Sequence, residues 1–332
     1  MAQPLVELKN LKIHYPVRGG VFFRIKNHVK AVDGVSLSIY PNETLGLVGE
    51  SGCGKSTIGR GIMRLEQISA GQIYFEGQDI SRYSRRQMRP LWKKMQMVFQ
   101  DPYSSLNPRK TVGNALAEIL RVHHIVPDRG IPGEIERIMN LIGLSPDLKR
   151  RFPHEFSGGQ RQRINIAKAL TMRPRLLICD EAISALDVSI QAQILTLFTE
   201  LRSRLGLTYL FIAHGLGAVK YMSDRIAVMY LGKIVELAPA QGIFADPRHP
   251  YTQALLSAYP DPNPRNRGGK KIVLTGQVPN PADPPPGCGF HTRCPFAGNI
   301  CSSETPDLKN DGGHFTACHF RIHPSDWFEV KQ

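Results

Sequence analysis

The chain has 332 residues, of which 42% are apolar and 21% charged, and a formal net charge of +14. That composition is ordinary for a globular protein with sizeable cores, and the length is comfortable for two domains. The positive balance suits nucleic acid, anionic lipid headgroups or acidic partners, and equally a solvated surface around a polyanionic nucleotide, so charge alone does not choose. Residues Met1 to Glu7 lack the basic region and apolar core of a secretory signal, and the longest uncharged run, Leu205 to Val219, is too short to span a bilayer. A soluble, cytosolic protein is expected. Four of the six cysteines fall in the last 45 residues, which in that compartment reads as a metal site rather than a disulfide framework.

In chain order, Val6 to Tyr15 alternates apolar and polar residues and predicts a strand, as does Val29 to Ile39, with a basic loop, Pro16 to Asn27, between them. Tyr15 fits base stacking and a half-buried strand tyrosine equally well. Leu45 to Val48 is an apolar strand entering Gly49-Glu50-Ser51-Gly52-Cys53-Gly54-Lys55-Ser56-Thr57, and the residues after Lys55 begin a helix. The spacing G-x-x-x-x-G-K-[ST] is that of a phosphate-binding loop. Its glycines let backbone N–H groups face inward around phosphate oxygens at a helix N-terminus, Lys55 reaches the β- and γ-phosphates, and the Ser56 hydroxyl holds Mg²⁺. A ligand-free glycine turn is the bland reading; seven of the nine positions being Gly, Lys, Ser or Thr argues against it. No Asn-Lys-x-Asp sequence occurs, which favours ATP over GTP.

Arg82 to Lys94 is strongly basic and reads first as a solvated helical face, second as a lipid-headgroup contact. Met95 to Gln100 is an apolar strand ending on glutamine, and helical patterns follow at Val112 to His123 and Gly133 to Ile142. Ser157-Gly158-Gly159-Gln160 opens a helix over Arg161 to Met172; its bare amides are a second seat for phosphate, although Ser-Gly-Gly alone is also a simple N-cap. Leu176 to Asp180 is an apolar strand ending in two carboxylates. Neighbours on a strand face opposite sides, so Asp180 is assigned to the Mg²⁺ shell and Glu181 to the attacking water. Ser184 to Asp187 forms the next turn. Thr208 to Ala213 delivers His214 at a strand's C-terminal end, where ligands of α/β proteins sit, and Arg225 to Leu237 is a hairpin turning at Gly232.

From Pro260 onward the chain becomes proline-rich and poor in apolar runs, a loop-rich appendage. Cys288, Cys294, Cys301 and Cys318 are spaced C-x₅-C-x₆-C-x₁₆-C, without the tight pairs usual for structural zinc. The spacing favours metal over free thiols and an iron–sulfur core slightly over zinc. His291, His314 and His319 are read as bystanders.

In six motifs falling in order over nearly the whole chain, the sequence resembles the ATP-binding subunit of an ABC transporter. Gly49 to Thr57 matches the Walker A loop, Gln100 the Q-loop, Ser157 to Gln160 the signature, Leu176 to Asp180 Walker B with Glu181 as catalytic glutamate, Ser184 to Asp187 the D-loop and His214 the switch histidine. More narrowly, Gly49 to Thr57, Phe99 to Pro108, Pro247 to Leu256 and the cysteine region resemble the oligopeptide/dipeptide importer branch.

The resemblance implies an α/β fold: a P-loop ATPase domain over residues 1–245, with a mixed sheet, an N-terminal antiparallel part and an inserted helical subdomain at about 101–170. A cysteine-bearing extension, 246–332, completes it. It also implies ATP held between Walker A of one subunit and the signature of another, either a paralogue or a second copy, and adenine stacking by Tyr15. Mg²⁺ is implied at Ser56, Gln100 and Asp180, and a [4Fe–4S] cluster at the four cysteines. Two membrane permeases and, indirectly, an extracytoplasmic solute-binding protein are the implied partners, at the cytoplasmic membrane face, with no nucleic acid. Peptides are the implied solute, although similar systems carry nickel complexes and oligosaccharides.

A soluble ABC ATPase acting on nucleic acid is the rival. The roughly one hundred residues between Thr57 and Ser157 hold no heptad run, and only one cassette is present. A regulatory ATP-binding subunit with weak turnover is the third reading. The chain departs from the family pattern at Ala182, where Pro is common, and at Gly215, where Asp is usual. The second change removes an acid and adds backbone freedom next to the switch histidine, bearing on the rate or coupling of hydrolysis rather than on nucleotide binding.

Overall fold

The computed structural model describes residues 3–19, 24–101, 105–213, 215–258, 272–320, 322–323 and 326–327. Strands β1 (Val6–Gly19) and β2 (Arg24–Ile39) pair antiparallel, and β3 (Thr44–Val48) passes through the glycine loop into α1 (Lys55–Ile62). β4 (Ala70–Phe75) and β5 (Gln78–Asp79) return to the first pair, making a sheet in the order β2-β1-β4-β5. The basic stretch becomes α2 (Arg85–Lys94), with Met88 and Leu91 buried, and leads into β6 (Met95–Val98). Helices α3 (Val112–Val122), α4 (Ile131–Leu141) and α5 (Gly158–Leu170) form the helical part. Then come β7 (Leu176–Asp180), α6 (Val188–Leu205), β8 (Thr208–Ile212), α7 (Leu216–Met222), β9 (Arg225–Tyr230), β10 (Lys233–Pro239), α8 (Ala240–Ala245), α9 (Pro250–Ser257), α10 (Asn299–Ser303), β11 (Lys309–Asp311) and β12 (His314–Thr316).

The second sheet runs β11-β12-β10-β9-β3-β8-β7-β6. Its centre, β6 to β9 with β3, is parallel, so the C-terminal ends of β3, β6, β7 and β8 gather the loop residues of interest on one edge. Both faces are covered, which is why these strands read as unbroken apolar runs. Leu177, Cys179, Tyr209 and Phe211 join one core with α3 to α6, while Leu176, Ile178, Leu210 and Ile212 join the other with α1 and the N-terminal sheet. Strand alternation alone sorts neighbouring residues into two cores.

Two expectations change. The basic segment read as a loop is largely strand: β1 continues to Gly19 and β2 begins at Arg24, with cross-strand partners down to Gly19 and Arg24. The C-terminal extension does more than trail from the ATPase. β12 pairs antiparallel with β10, β11 pairs with β12, and Tyr251 and Phe290 lie within the larger core. A segment with few apolar residues of its own is held by borrowing the core and sheet edge of the domain before it.

Candidate active site

The phosphate loop is shaped by backbone crowding. A Cβ on Gly54, whose φ is +109°, would lie 2.0 Å from the Ala31 carbonyl oxygen, and one on Gly49 would lie 2.2 Å from that of Met229. Only glycine fits either place. Gly54 is the N-cap of α1 and supplies no side chain, so the first amides of the helix stay open toward the loop. Ser51 and Gly52 are exposed, Cys53 is buried and Thr57 half-buried. The Lys55 ammonium, 4% exposed, donates to the carbonyls of Gly49 (2.8 Å) and Glu50 (2.9 Å). The Ser56 hydroxyl donates to Asp180 Oδ1 at 2.6 Å, joining the phosphate loop to the end of β7.

Asp180 is buried, and Glu181 leaves the strand: its φ is +51°. Asp180 and Glu181 therefore do not sit on opposite faces of one strand, because a left-handed residue ends the alternation. Glu181 is held in that turn by its N–H donating to Ile212 O (2.9 Å) and by its carbonyl accepting from the Ser184 N–H (3.1 Å) and hydroxyl (2.9 Å). A non-glycine residue there costs about 1–2 kcal/mol, the kind of local strain that collects at functional sites. Gln100 lies two residues past β6, whose Val98 pairs with Cys179, so it sits on the same sheet edge as Asp180. Tyr15 is half-buried on β1, with its hydroxyl in hydrogen-bonding reach of Thr57 and Glu66; burial and the Glu66 charge raise its pKa. His214 lies outside the described residues. Gly215 has φ −81° and open space where a Cβ would stand, so the backbone freedom of glycine goes unused there.

The signature residues stand apart from this cradle, at the start of α5. Ser157 and Gln160 form a reciprocal capping box, the Ser157 N–H donating to Gln160 Oε1 (3.0 Å) and the Gln160 N–H to Ser157 Oγ (3.3 Å). Ser157 and Gly158 are exposed, whereas Gly159 is buried, where a Cβ would meet Ile190 at 2.6 Å. Asp187 caps α6 without a side-chain bond and is exposed, beside Val188 at 82% exposure.

Sequence reasoning passed over two anchors of the loop. The Glu50 N–H donates to the Tyr251 hydroxyl at 2.8 Å, and the Glu50 carboxylate accepts from both terminal nitrogens of Arg293, at 2.9 and 3.2 Å. Burial works against the Arg293 charge, but the Glu50 carboxylate and the Tyr230 hydroxyl outweigh it and hold the guanidinium pKa further up. Tyr251 belongs to the Pro247-to-Leu256 stretch. No signal in one sequence links Arg293 to Glu50, 243 residues away.

The four cysteines are free thiols and line one small pocket walled by Phe290, Phe296, Phe320 and Ile322. The N–H of each of those phenylalanines, two residues past a cysteine, favours the thiolate of Cys288, Cys294 or Cys318. The thrice-repeated Cys-x-Phe was a readable signal. Burial raises the thiols of Cys288 and Cys318 and pushes that of Cys294 up to about 12. Among the described residues, no three His, Cys, Asp or Glu side chains close around a point as ligands of one ion. His291 and His319 line the pocket with a ring nitrogen on a backbone carbonyl, Cys288 O and Glu304 O. His314 stands outside the pocket: its Nε2 lies 2.6 Å from the fully buried Glu236 carboxylate, which also accepts the N–H groups of Arg248 (2.8 Å) and His249 (3.0 Å).

Two family models match the chain, ABC transporter over residues 32–184 and the oligopeptide/dipeptide transporter C-terminal region over 235–301. The chain is 52% identical to the oligopeptide transport ATP-binding protein AppF of Bacillus subtilis, covering 96% of this chain and 97% of that one. It is 47% identical to the oligopeptide transport ATP-binding protein OppF of Salmonella typhimurium, with 95% of each covered. Among solved structures, cbiO1 of Clostridium perfringens, part of the ABC transporter complex cbiONQ, is similar with a TM-score of 0.64 at 26% identity, over 73% of this chain and 91% of that one.

Proposed function

The chain belongs to the ABC transporter family of ATP-binding subunits, which hydrolyse ATP to power transport, and from that premise we propose that it is the motor of a di- or oligopeptide importer. The observation that carries the ATP site is the Ser56–Asp180 contact at 2.6 Å, which puts a hydroxyl and a carboxylate together below an open helix N-terminus. Ser56, Asp180 and Gln100 would hold Mg²⁺, which would supply positive charge against the bound phosphates. Lys55 shifts from loop carbonyls to the phosphates, Tyr15 takes the base, and Glu181 orients the attacking water, with His214 at the γ-phosphate.

A single chain carries one cradle, and its Ser157 end faces outward. Exposed Ser157, Gly158, Asp187 and Val188 therefore support a sandwich in which the signature closes over a partner ATPase's nucleotide. The division into residues 1–245 and 246–332, with a helical subdomain at about 101–170, fits α3 to α5 standing between β6 and β7. A groove of about 810 Å³ lined by Trp92, Met97, Phe99, Val122 and Met172, and rimmed by Lys93, supports docking of a permease beside Gln100. No helix of the described residues is long and apolar enough to cross a membrane. By likeness to the oligopeptide transport ATP-binding proteins, the motor works at the cytoplasmic face, bound to two permeases and served by a solute-binding protein.

The cysteine pocket fits a metal group in its donor set: four free thiols, three of them beside a backbone N–H that favours the thiolate. Structural zinc sites use tight cysteine pairs separated by about two to four residues, which C-x₅-C-x₆-C-x₁₆-C lacks, so the spacing favours a [4Fe–4S] core. Cys288, Cys294, Cys301 and Cys318 would hold it, and its contribution is to cross-link a segment with little core of its own.

In complex with its partner subunits, Glu181→Gln lowers ATP turnover on the order of 100-fold or more while ATP still binds. Equal rates in wild type and variant would remove Glu181 from its role and favour the regulatory reading. Stimulation by a nickel- or oligosaccharide-loaded binding protein, and none by a peptide-loaded one, would overturn the solute. For the cysteines, anaerobically purified protein has broad visible absorbance that Cys301→Ser abolishes; a colourless, zinc-containing preparation would reverse the choice.

A further inference from the structure

Glu50 places a negative side chain on a loop shaped for a triphosphate, and like charges at that range repel. The structure meets this from behind the loop. Arg293, 8% exposed, grips the carboxylate with both terminal nitrogens at 2.9 and 3.2 Å, and its Nη1 also reaches the Tyr230 hydroxyl at 3.4 Å. That grip leaves Arg293 Nε buried with no partner among the described residues, so the guanidinium is committed to Glu50 at a cost. Tyr251 takes the amide of the same residue at 2.8 Å. Glu50 is thus fixed at backbone and side chain by two residues from outside the ATPase motifs.

Both anchors depend on the cysteine segment. Arg293 directly precedes Cys294. Tyr251 packs on Phe290, with ring centroids 5.5 Å apart, and Phe290 walls the cysteine pocket and contacts Tyr230 at 5.3 Å.

We infer that Arg293 is a positioning residue for ATP, neutralising and orienting Glu50 so that the order of the cysteine segment sets nucleotide affinity. The inference rests on the phosphate loop binding ATP and does not depend on which group the cysteines hold. A guanidinium paired in two places is not replaced by an ammonium, so lysine should restore only part of the effect.

The test is equilibrium binding of Mg–AMP-PNP to the full chain, with melting temperature followed in parallel. Arg293→Ala weakens binding about tenfold or more, Arg293→Lys less, and added salt shrinks the defect because it screens Glu50 from the phosphates. Glu50→Gln in the Arg293→Ala background restores affinity to within about threefold of Glu50→Gln alone, since no stranded charge remains. In turnover, KM for ATP rises more than kcat falls. Arg293→Ala that lowers only the melting temperature overturns the inference, as does a double variant no better than the single one. Wild type that fails to bind the analogue would remove the premise, and the inference with it. If Arg293→Ala does not fold, the comparison of Arg293→Lys with its Glu50→Gln double variant decides by the same rule.

Discussion

The phosphate loop and the cysteine segment touch at Glu50, yet they are assembled from opposite kinds of contact. In the loop, Lys55 is held by carbonyls five and six residues away, and only the tight fit of Gly49 and Gly54 against the Met229 and Ala31 carbonyls comes from other strands. In the cysteine segment, Arg293 reaches back 243 residues to Glu50, and His314 reaches back 78 to Glu236. The loop carries its chemistry in consecutive residues. The extension acquires its shape from the domain it leans on, and returns that support at the loop's second residue.

The contrast is tested most severely at Gly54. Gly54→Ala forces a Cβ to within 2.0 Å of the Ala31 carbonyl at φ +109°, and nucleotide affinity should fall on the order of 100-fold with the cysteine segment undisturbed. Retained ATP binding by calorimetry would show the loop less dictated by its backbone than argued. On the other side, His314→Ala strands part of the buried Glu236 charge. A loss of about 3 kcal/mol in urea unfolding is expected, with exchange protection falling first at β11 and β12. Uniform loss across the chain would mean the extension is no separate unit of stability.

Tyr251→Phe leaves the Glu50 amide without its acceptor. About 1–2 kcal/mol of stability should go, together with a modest rise in KM for ATP, linking the two regions through one hydroxyl. Unchanged KM would leave that hydroxyl a purely structural group. The smallest effect belongs to Gly215→Asp. The position has an ordinary φ, open space and the N-cap place of α7, so aspartate should fit and add a few tenths of a kcal/mol. A large loss of stability would show that glycine is needed there after all.

The strands of the central sheet were legible because burial on both faces leaves an apolar run that few other structures explain, as in Leu176 to Asp180 and Thr208 to Ile212. The capping box at Ser157 was legible in kind, although Ser-Gly-Gly by itself did not name a ligand. Pro16 to Asn27 was misread because its basic, glycine-containing composition hides a strand pair whose stability comes from cross-strand partners. Glu181 was placed by strand alternation, and the positive φ that ends the alternation has no marker in the sequence. The structural role of His314 had no marker, because its carboxylate partner lies on a different strand, β10.

The sequence by itself laid out the candidate nucleotide site, since the glycine loop with its lysine and serine, and the two carboxylates after an apolar strand, are each written in a short run of residues. It also grouped the four cysteines, through their clustering in the last 45 residues. Only the tertiary structure decided that the extension adds strands to the ATPase sheet, and that Arg293 and Tyr251 hold Glu50. Those contacts join groups far apart in the chain, up to 243 residues for Glu50 and Arg293, and no local pattern in a single chain records which distant partner a buried charge will meet.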